Sequence, residues 1–331
     1  MAHPEAGSQR FRAGLGFAIA SAVCFGTSGS FGKTLLNIGW TPAAAVFLRL
    51  AGAALVMAAV ATLLRHGWVR EALRHPRTVI GYGIIPVAGT QLCYYSAIEH
   101  LSVSVALLLE YTAPILVVAW MWATTRRRPS NTTLAGVAIA LAGTTLVLDI
   151  YSGVHLNLVG LAWAMAAAVC VACFFVMSDT GDEDDGLDAV TLTAAGLVVG
   201  TVLVGLLGAT GVLRLTFVTA DTVLAGHAVP WFVPAVAIAV VSTAMAYVLG
   251  ILGIARLKPR FASMVGLSEV LFATLAAWVL LGEAISAAQA VGGLIVLAGL
   301  ALARYGDRSD ARPELDAAPL PADRHPTTGP A

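Results

Sequence analysis

Two stretches of this chain, LSVSVALLLEYTAPILVVAWMWATTRRRPSNTTLAGVAIALAG at 101–143 and LKPRFASMVGLSEVLFATLAAWVLLGEAISAAQAVGGLIVLAG at 257–299, align without a gap when the sequence is slid on itself by 156 residues. Nine positions are identical: Leu101/Leu257, Ala106/Ala262, Trp122/Trp278, Ser130/Ser286, Gly136/Gly292, Ile139/Ile295, Leu141/Leu297, Ala142/Ala298 and Gly143/Gly299. In a chain so rich in Ala, Leu and Gly the count is weak evidence. The tryptophan pair, and the glycines spaced along the last helix of each stretch, carry more. A shorter match sets Ala22-Val23-Cys24 against Ala168-Val169-Cys170 at an offset of 146, near the start of each half.

The repeated unit belongs in a membrane. The chain is 58% hydrophobic and 11% charged, with 33 glycines, whereas a soluble domain carries roughly 25% charged residues. About 20 apolar residues at 1.5 Å each cross a hydrocarbon core roughly 30 Å thick. Such stretches fall at 14–32, 43–64, 79–98, 102–125, 132–149, 158–178, 189–213, 230–255, 262–282 and 287–303. The expected organisation is a cytoplasmic N-terminus (1–13), a first repeat of five spans (14–149), a second (158–303) and a disordered cytoplasmic tail (304–331), rich in Pro, Ala and Asp. Five is odd, so the second unit enters the membrane from the opposite side. The predicted fold is therefore an all-α polytopic membrane protein, ten transmembrane helices arranged as two inverted five-helix repeats.

Charge sets the orientation. Of 19 Lys and Arg, 16 fall on one side of this path: Arg10, Arg12, Arg65, Arg70, Arg74, Arg77, Arg126, Arg127, Arg128, Arg256, Lys258, Arg260, Arg304, Arg308, Arg312 and Arg324. Lys33 and Arg214 fall on the other, and Arg49 lies within a span. The positive-inside rule places both termini in the cytoplasm. The cationic excess then faces lipid headgroups, and the net charge of zero gives no reason to invoke nucleic acid. Met1–Arg12 leads into a span too long for a signal-peptide core, so that span is expected to be retained.

Several motifs fail on their chemistry. Thr27-Ser28-Gly29-Ser30-Phe31-Gly32-Lys33-Thr34 resembles a phosphate loop, but Thr27 stands where its first glycine is required. Gly266-Leu267-Ser268-Glu269 lacks the closing glycine of an intramembrane serine protease. If Gly186 is the turn glycine of a calcium loop within Asp179–Asp188, Gly181 and Leu192 occupy positions that need carboxylates. Cys170-x-x-Cys173 has no second pair and reads as packing. No metal or other cofactor is expected, and a membrane enzyme or lipid-handling protein, the rival class, lacks a visible dyad or metal set.

Ionisable groups at membrane depth cost roughly 2.5–3.5 kcal/mol on insertion scales and usually face a cavity or a partner. Arg49, Glu110 and Glu269 are the three here. Glu110 lies about eight residues into the fourth span, roughly 12 Å by helical rise, and Glu269 lies similarly far into the ninth from the other side. At the offset of 156, Glu269 corresponds to Ala113, one helical turn from Glu110. Glu110 either binds a substrate ammonium or exchanges a proton, or it forms a static pair with Arg49. Arg49 either holds a substrate carboxylate through its fork of donors or serves in that pair. Gln91, Tyr94 and Tyr95 share a face of the third span and either line a polar cavity or anchor the outer interface. Trp163 and Phe174 either pack within the bundle, as aromatics commonly do there, or form aromatic walls of a cavity. Glu283, before the tenth span, is expected to stabilise that helix's dipole.

The chain resembles the EamA-like branch of the drug/metabolite transporter superfamily, over roughly 12–303. Phe25-Gly26-Thr27-Ser28-Gly29-Ser30-Phe31, Phe47-Leu48-Arg49-Leu50 and Leu107 to Pro114 (LLLEYTAP) are similar to its first, second and fourth spans. Leu267-Ser268-Glu269-Val270 through Leu280-Leu281-Gly282-Glu283, followed by Gly292-Gly293, looks like its Leu-x-Glu-Pro and Leu-Gly-Glu boxes. Val270 replaces a frequent proline, and Arg126-Arg127 replace Gly-Glu in the first half. The resemblance implies a secondary carrier in the inner membrane that exports a small metabolite, an amino acid or derivative, by alternating access. Proton coupling and uncoupled exchange both stay open, as do efflux of drug-like cations and a monomeric or homodimeric state. The implied partners are a small-molecule substrate, membrane lipid and protons.

Overall fold

A backbone amide or carbonyl in hydrocarbon has no water to bond, so a membrane chain of this composition satisfies itself by winding into helices. The computed structural model describes residues 4–126, 128–147, 157–179, 187–254, 256 and 259–316. In order they form α1 (Pro4–Asn37), α2 (Pro42–Leu64), α3 (Trp68–Arg74), α4 (Pro76–Tyr82), α5 (Thr90–His100), α6 (Val103–Glu110), α7 (Ala113–Thr125), α8 (Asn131–Val147), α9 (Leu158–Asp179), α10 (Ala189–Ala209), α11 (Phe232–Val236), α12 (Ala246–Ile254), α13 (Pro259–Ala276) and α14 (Ala287–Asp316). Three π-helical segments, Gly83–Gly89, Ala237–Met245 and Ala277–Leu281, lie within this series.

Among the described residues, five helices are long and apolar enough to cross a membrane: Arg12–Asn37, Pro42–Leu64, Val103–Thr125, Ala189–Ala209 and Phe232–Gly253. Four shorter apolar helices accompany them: Asn131–Val147, Leu158–Cys173, Ser268–Leu281 and Ala287–Ala303. The third expected span is covered by α4, the π-helical segment around Pro86, and α5. Proline has no N–H to donate, so the hydrogen-bond ladder must shift there.

Helix starts follow side-chain caps. Thr41, before Pro42, accepts from Ala44 N at 3.4 Å. Ser102 accepts from Val105 N at 3.4 Å, and Asp188 from Val190 N at 2.9 Å. The repeat pair Ser130/Ser286 has the same task in both halves: Ser130 Oγ accepts from Thr133 N at 3.2 Å, and Ser286 Oγ from Gln289 N at 3.1 Å. Gln289 Oε1 returns the bond from Ser286 N at 3.2 Å, a reciprocal capping box.

The main packing partners come from opposite halves of the chain. α1 packs on α12 and α13, α2 on α10, α5 on α9, and α8 on α14. Exchanging the halves maps α5 with α9 onto α12 with α1, and leaves α2 with α10 and α8 with α14 unchanged. The α8–α14 contact shows this residue by residue. A Cβ at Gly143 would lie 2.7 Å from Val296 N, and one at Gly292 would lie 2.8 Å from Gly143 O. Gly136 and Gly299 press on each other's helix in the same way. The identical glycines thus mark an antiparallel crossing at backbone contact.

Three features differ from the sequence reading. α1 begins at Pro4, ten residues before the expected span. α14 continues to Asp316, so helix replaces the disordered tail expected from 304, while 317–331 lie outside the described residues. The reading of the acidic run Asp179–Asp188 as a loop lies mostly outside the described residues. The fold is also not purely helical, because Thr222–Leu224 and His227–Val229 form an antiparallel hairpin. Its turn places Ala225 at φ 51° and Gly226 at φ 77°, the two positive values a tight hairpin turn requires. Thr222 Oγ1 donates to Thr34 O at 2.9 Å, and Ala225 N to Leu280 O at 2.8 Å, fastening the hairpin over the ends of α1 and the last π-helical segment.

Gly143→Ala is expected to destabilise the protein by about 1–3 kcal/mol, because the added methyl meets backbone that cannot yield. Gly16→Ala, with open space around its Cβ, is expected to leave stability unchanged or slightly raised. Thermal unfolding of both variants in detergent measures the difference.

Candidate substrate-binding site

Arg49, in the middle of α2, is 3% exposed. Its Nε donates to Thr243 Oγ1 at 2.8 Å, and its Nη1 donates to Ser28 Oγ at 2.5 Å and Gln91 Oε1 at 2.7 Å. A longer contact reaches the Tyr95 hydroxyl at 3.4 Å, and the guanidinium carbon lies 5.8 Å from the centre of the Tyr95 ring. Every one of these acceptors is neutral. They come from α1, α5 and the π-helical segment Ala237–Met245, so the guanidinium ties both halves together while keeping its full charge.

The wall around this charge depends on small residues. A Cβ at Gly32 would lie 2.8 Å from Tyr95 Cζ, and one at Gly26 would lie 2.8 Å from Ala273 N and 3.1 Å from Glu269 O. The glycines of α1 therefore admit a tyrosine ring on one side and the backbone of α13 on the other.

Glu110 is the last residue of α6. Pro114 denies the chain an N–H at the next turn and disfavours helical geometry just before it, so the fourth span is interrupted rather than continuous. Leu109 O accepts twice from Thr112, from its N at 3.0 Å and from its Oγ1 at 2.6 Å. The Tyr111 hydroxyl donates to Glu269 Oε2 at 2.9 Å, joining the break to α13. Arg49, Gln91, Glu110 and Glu269 line one cavity of about 50 Å³, together with Ser28 and Tyr94.

This geometry decides among the sequence expectations. The direct ion pair between Arg49 and Glu110 is not formed; among the described residues the ion pairs are Lys33 with Glu283 and Arg65 with Asp188. Gln91, Tyr94 and Tyr95 gather at Arg49, and both tyrosines are buried, so they do not anchor an interface. Trp163 is 41% exposed and lies outside the cavity. The Phe174 side chain lies outside the described residues. Ala113, the position equivalent to Glu269, is fully buried against α9. Glu283 does not serve its own helix: Oε1 pairs with Lys33 at 3.2 Å, and Oε2 accepts from Val103 N at 3.1 Å at the start of α6.

The profile of the EamA-like transporter family matches residues 12–149 and again 158–305. The chain belongs to the EamA-like transporter family. It is 26% identical over 289 residues to the threonine/homoserine exporter RhtA of Escherichia coli K12, covering 86% of this chain and 88% of that protein. An uncharacterized transporter of Archaeoglobus fulgidus is 26% identical over 285 residues, covering 86% and 94%. A solved crystal structure superposes with a TM-score of 0.56 at 20% identity, over 91% of this chain and 99% of that one, and shows the same fold. The protein is thus a membrane transporter of small molecules.

Two groups in this EamA-like site were not singled out as candidates by the sequence reading. Thr243 sits in an apolar run, and only the π-helical turn around it brings its hydroxyl to Arg49; Thr243 Oγ1 donates back five residues to Ile238 O at 2.8 Å. Tyr111 could have been found from Pro114, since a proline two to four residues after polar groups marks a break inside a span.

Arg49→Lys is expected to lower transport at least tenfold, because one ammonium cannot bridge Thr243, Ser28 and Gln91 at their present separations. Leaving a buried acceptor unpaired costs about 1–3 kcal/mol, so the thermal midpoint should fall as well. Flux into proteoliposomes and thermal unfolding, measured on the same preparation, check both parts.

Proposed function

We propose that this transporter is a ten-span inner-membrane carrier, built as two inverted five-helix repeats, that exports a small zwitterionic metabolite by alternating access. Amino acids and their derivatives are the leading substrate class. The observation that carries the reading is the cavity itself: a guanidinium held only by neutral groups shares one space with two carboxylates. A substrate carboxylate finds the fork of Arg49, and a substrate ammonium finds Glu110 and Glu269. Water in this space loses little when a zwitterion replaces it, because both ends of the ligand meet opposite charge.

Three further points support the reading. The packing of the helices is unchanged by exchange of the halves, as an inverted repeat requires. The interrupted span at Glu110 follows the pattern in which broken helices build a site near the midplane. RhtA, similar over most of its length, is named for threonine and homoserine export. Between turnovers, Glu110 and Glu269 carry either a proton or the substrate ammonium, which would couple export to the proton gradient.

Proteoliposomes loaded with a labelled amino-acid mixture that includes threonine and homoserine test this directly. Gradient-dependent flux is expected in the wild type, with a loss of tenfold or more in Glu110→Gln. Flux of none of the amino acids would overturn the substrate class and favour organic cations; gradient-independent flux would overturn the coupling. Orientation is read separately in a background without the native cysteines: Asp221→Cys should react with an impermeant maleimide in intact cells, and Arg70→Cys only after permeabilisation.

A further inference from the structure

A second, larger cavity of about 230 Å³ lies on the other face of α6 from the charged site. Its inner part is apolar, formed by Leu108, Val270, Leu271 and Leu294 among others. Its rim, at the starts of α6 and α14, carries Ser102, Ser104, Glu283 and Gln289. Leu271 is 51% exposed and Leu294 60% exposed, so the cavity opens sideways between α13 and α14. In a membrane-embedded bundle that direction leads into lipid.

The rim has an unusual balance of donors and acceptors. Ser104 is 6% exposed, and its hydroxyl has no hydrogen-bond partner among the described residues. Ser102 Oγ accepts from Val105 N and Gln289 Oε1 accepts from Ser286 N, which leaves the Ser102 hydroxyl hydrogen and the Gln289 amide N–H groups as donors. Glu283 contributes no free charge, because one oxygen pairs with Lys33 and the other accepts from Val103 N. The rim therefore asks for a neutral ligand that presents acceptors, and a zwitterion would leave both its charges unpaired there. A buried hydroxyl without a partner is costly, and a native structure seldom leaves one so.

We propose that this cavity binds one acyl chain of a membrane glycerolipid, with the ester carbonyls at Ser102, Ser104 and Gln289. An ester carbonyl accepts and cannot donate, which matches the rim, and the chain below it matches the apolar walls. The cavity is larger than the roughly 150 Å³ that already takes up benzene, so it holds a segment of the chain, the rest of which lies along the lateral opening. The polar groups stand at the helix ends and the leucines deeper, the same order of depth as ester and chain in a bilayer leaflet.

The test uses the purified full-length protein in phosphatidylcholine nanodiscs containing phosphatidylethanolamine with a diazirine in one acyl chain. After irradiation, adducts are mapped by mass spectrometry. Labelling at Leu271, Ala290 and Leu294 should exceed that on the lipid-facing surface around Trp163 at least fivefold. Ala290→Trp, which fills the cavity, should abolish the excess, and Ser104→Val should lower it severalfold. Labelling equal to that around Trp163, or an excess unchanged in Ser104→Val, would overturn the proposal; Ser104→Val keeps the test valid if Ala290→Trp does not fold. Because the readout is binding, it stands apart from the substrate assay.

Discussion

Every interruption of a helix inside a membrane exposes backbone groups that water cannot reach, and the rest of this protein is arranged around how those interruptions are met. In the fourth span α6 ends at Glu110 and α7 begins at Ala113, where Pro114 has no N–H to donate, and Thr112 bonds Leu109 O through both its N and its hydroxyl. The π-helical turn at Ala237–Met245 is met by Thr243, which bonds Ile238 and receives Arg49. The charged cavity takes Glu110 from the first of these places, while regular helix supplies Arg49, Gln91 and Glu269.

Arg49 illustrates how a membrane protein keeps a charge available. A guanidinium paired with a carboxylate would be stable and inert. Surrounded by hydroxyls and an amide, it is solvated by protein dipoles and still attracts an anion. Glu110 and Glu269 line the same space from α6 and α13 without a direct ion pair to Arg49. The charges at the bundle ends behave differently: Lys33 with Glu283, and Arg65 with Asp188, are direct pairs that join the two halves at opposite ends of the chain's path.

The apolar helices and the family were legible in the sequence, because hydrophobic length and motif spacing are strong signals. Arg49, Glu110, Glu269, Gln91 and Tyr94, which line one cavity, stood out because such residues are expensive or unusual at membrane depth. Trp163 was misplaced because an aromatic in an apolar helix looks the same whether it faces a cavity or lipid. The partners of Arg49 depend on rotation about each helix axis, which is set by contacts across the halves and leaves no periodic trace. The hairpin at 222–229 was missed because its turn uses Ala225 where Asn or Gly would have announced it. Glu283 was assigned to the wrong helix because its partner Val103 N is 180 residues away.

The crossing of α8 and α14 has a mechanical consequence. Helices whose backbones touch at two pairs of glycines cannot slide along each other without driving a neighbouring methyl into main chain. Turning about the point of contact moves those atoms least. In the proposed alternating-access cycle the pair would serve as an axle, where a slight tilt opens a mouth on the far side of the bundle. Leverage, rather than bending of any single helix, is what so close a contact provides.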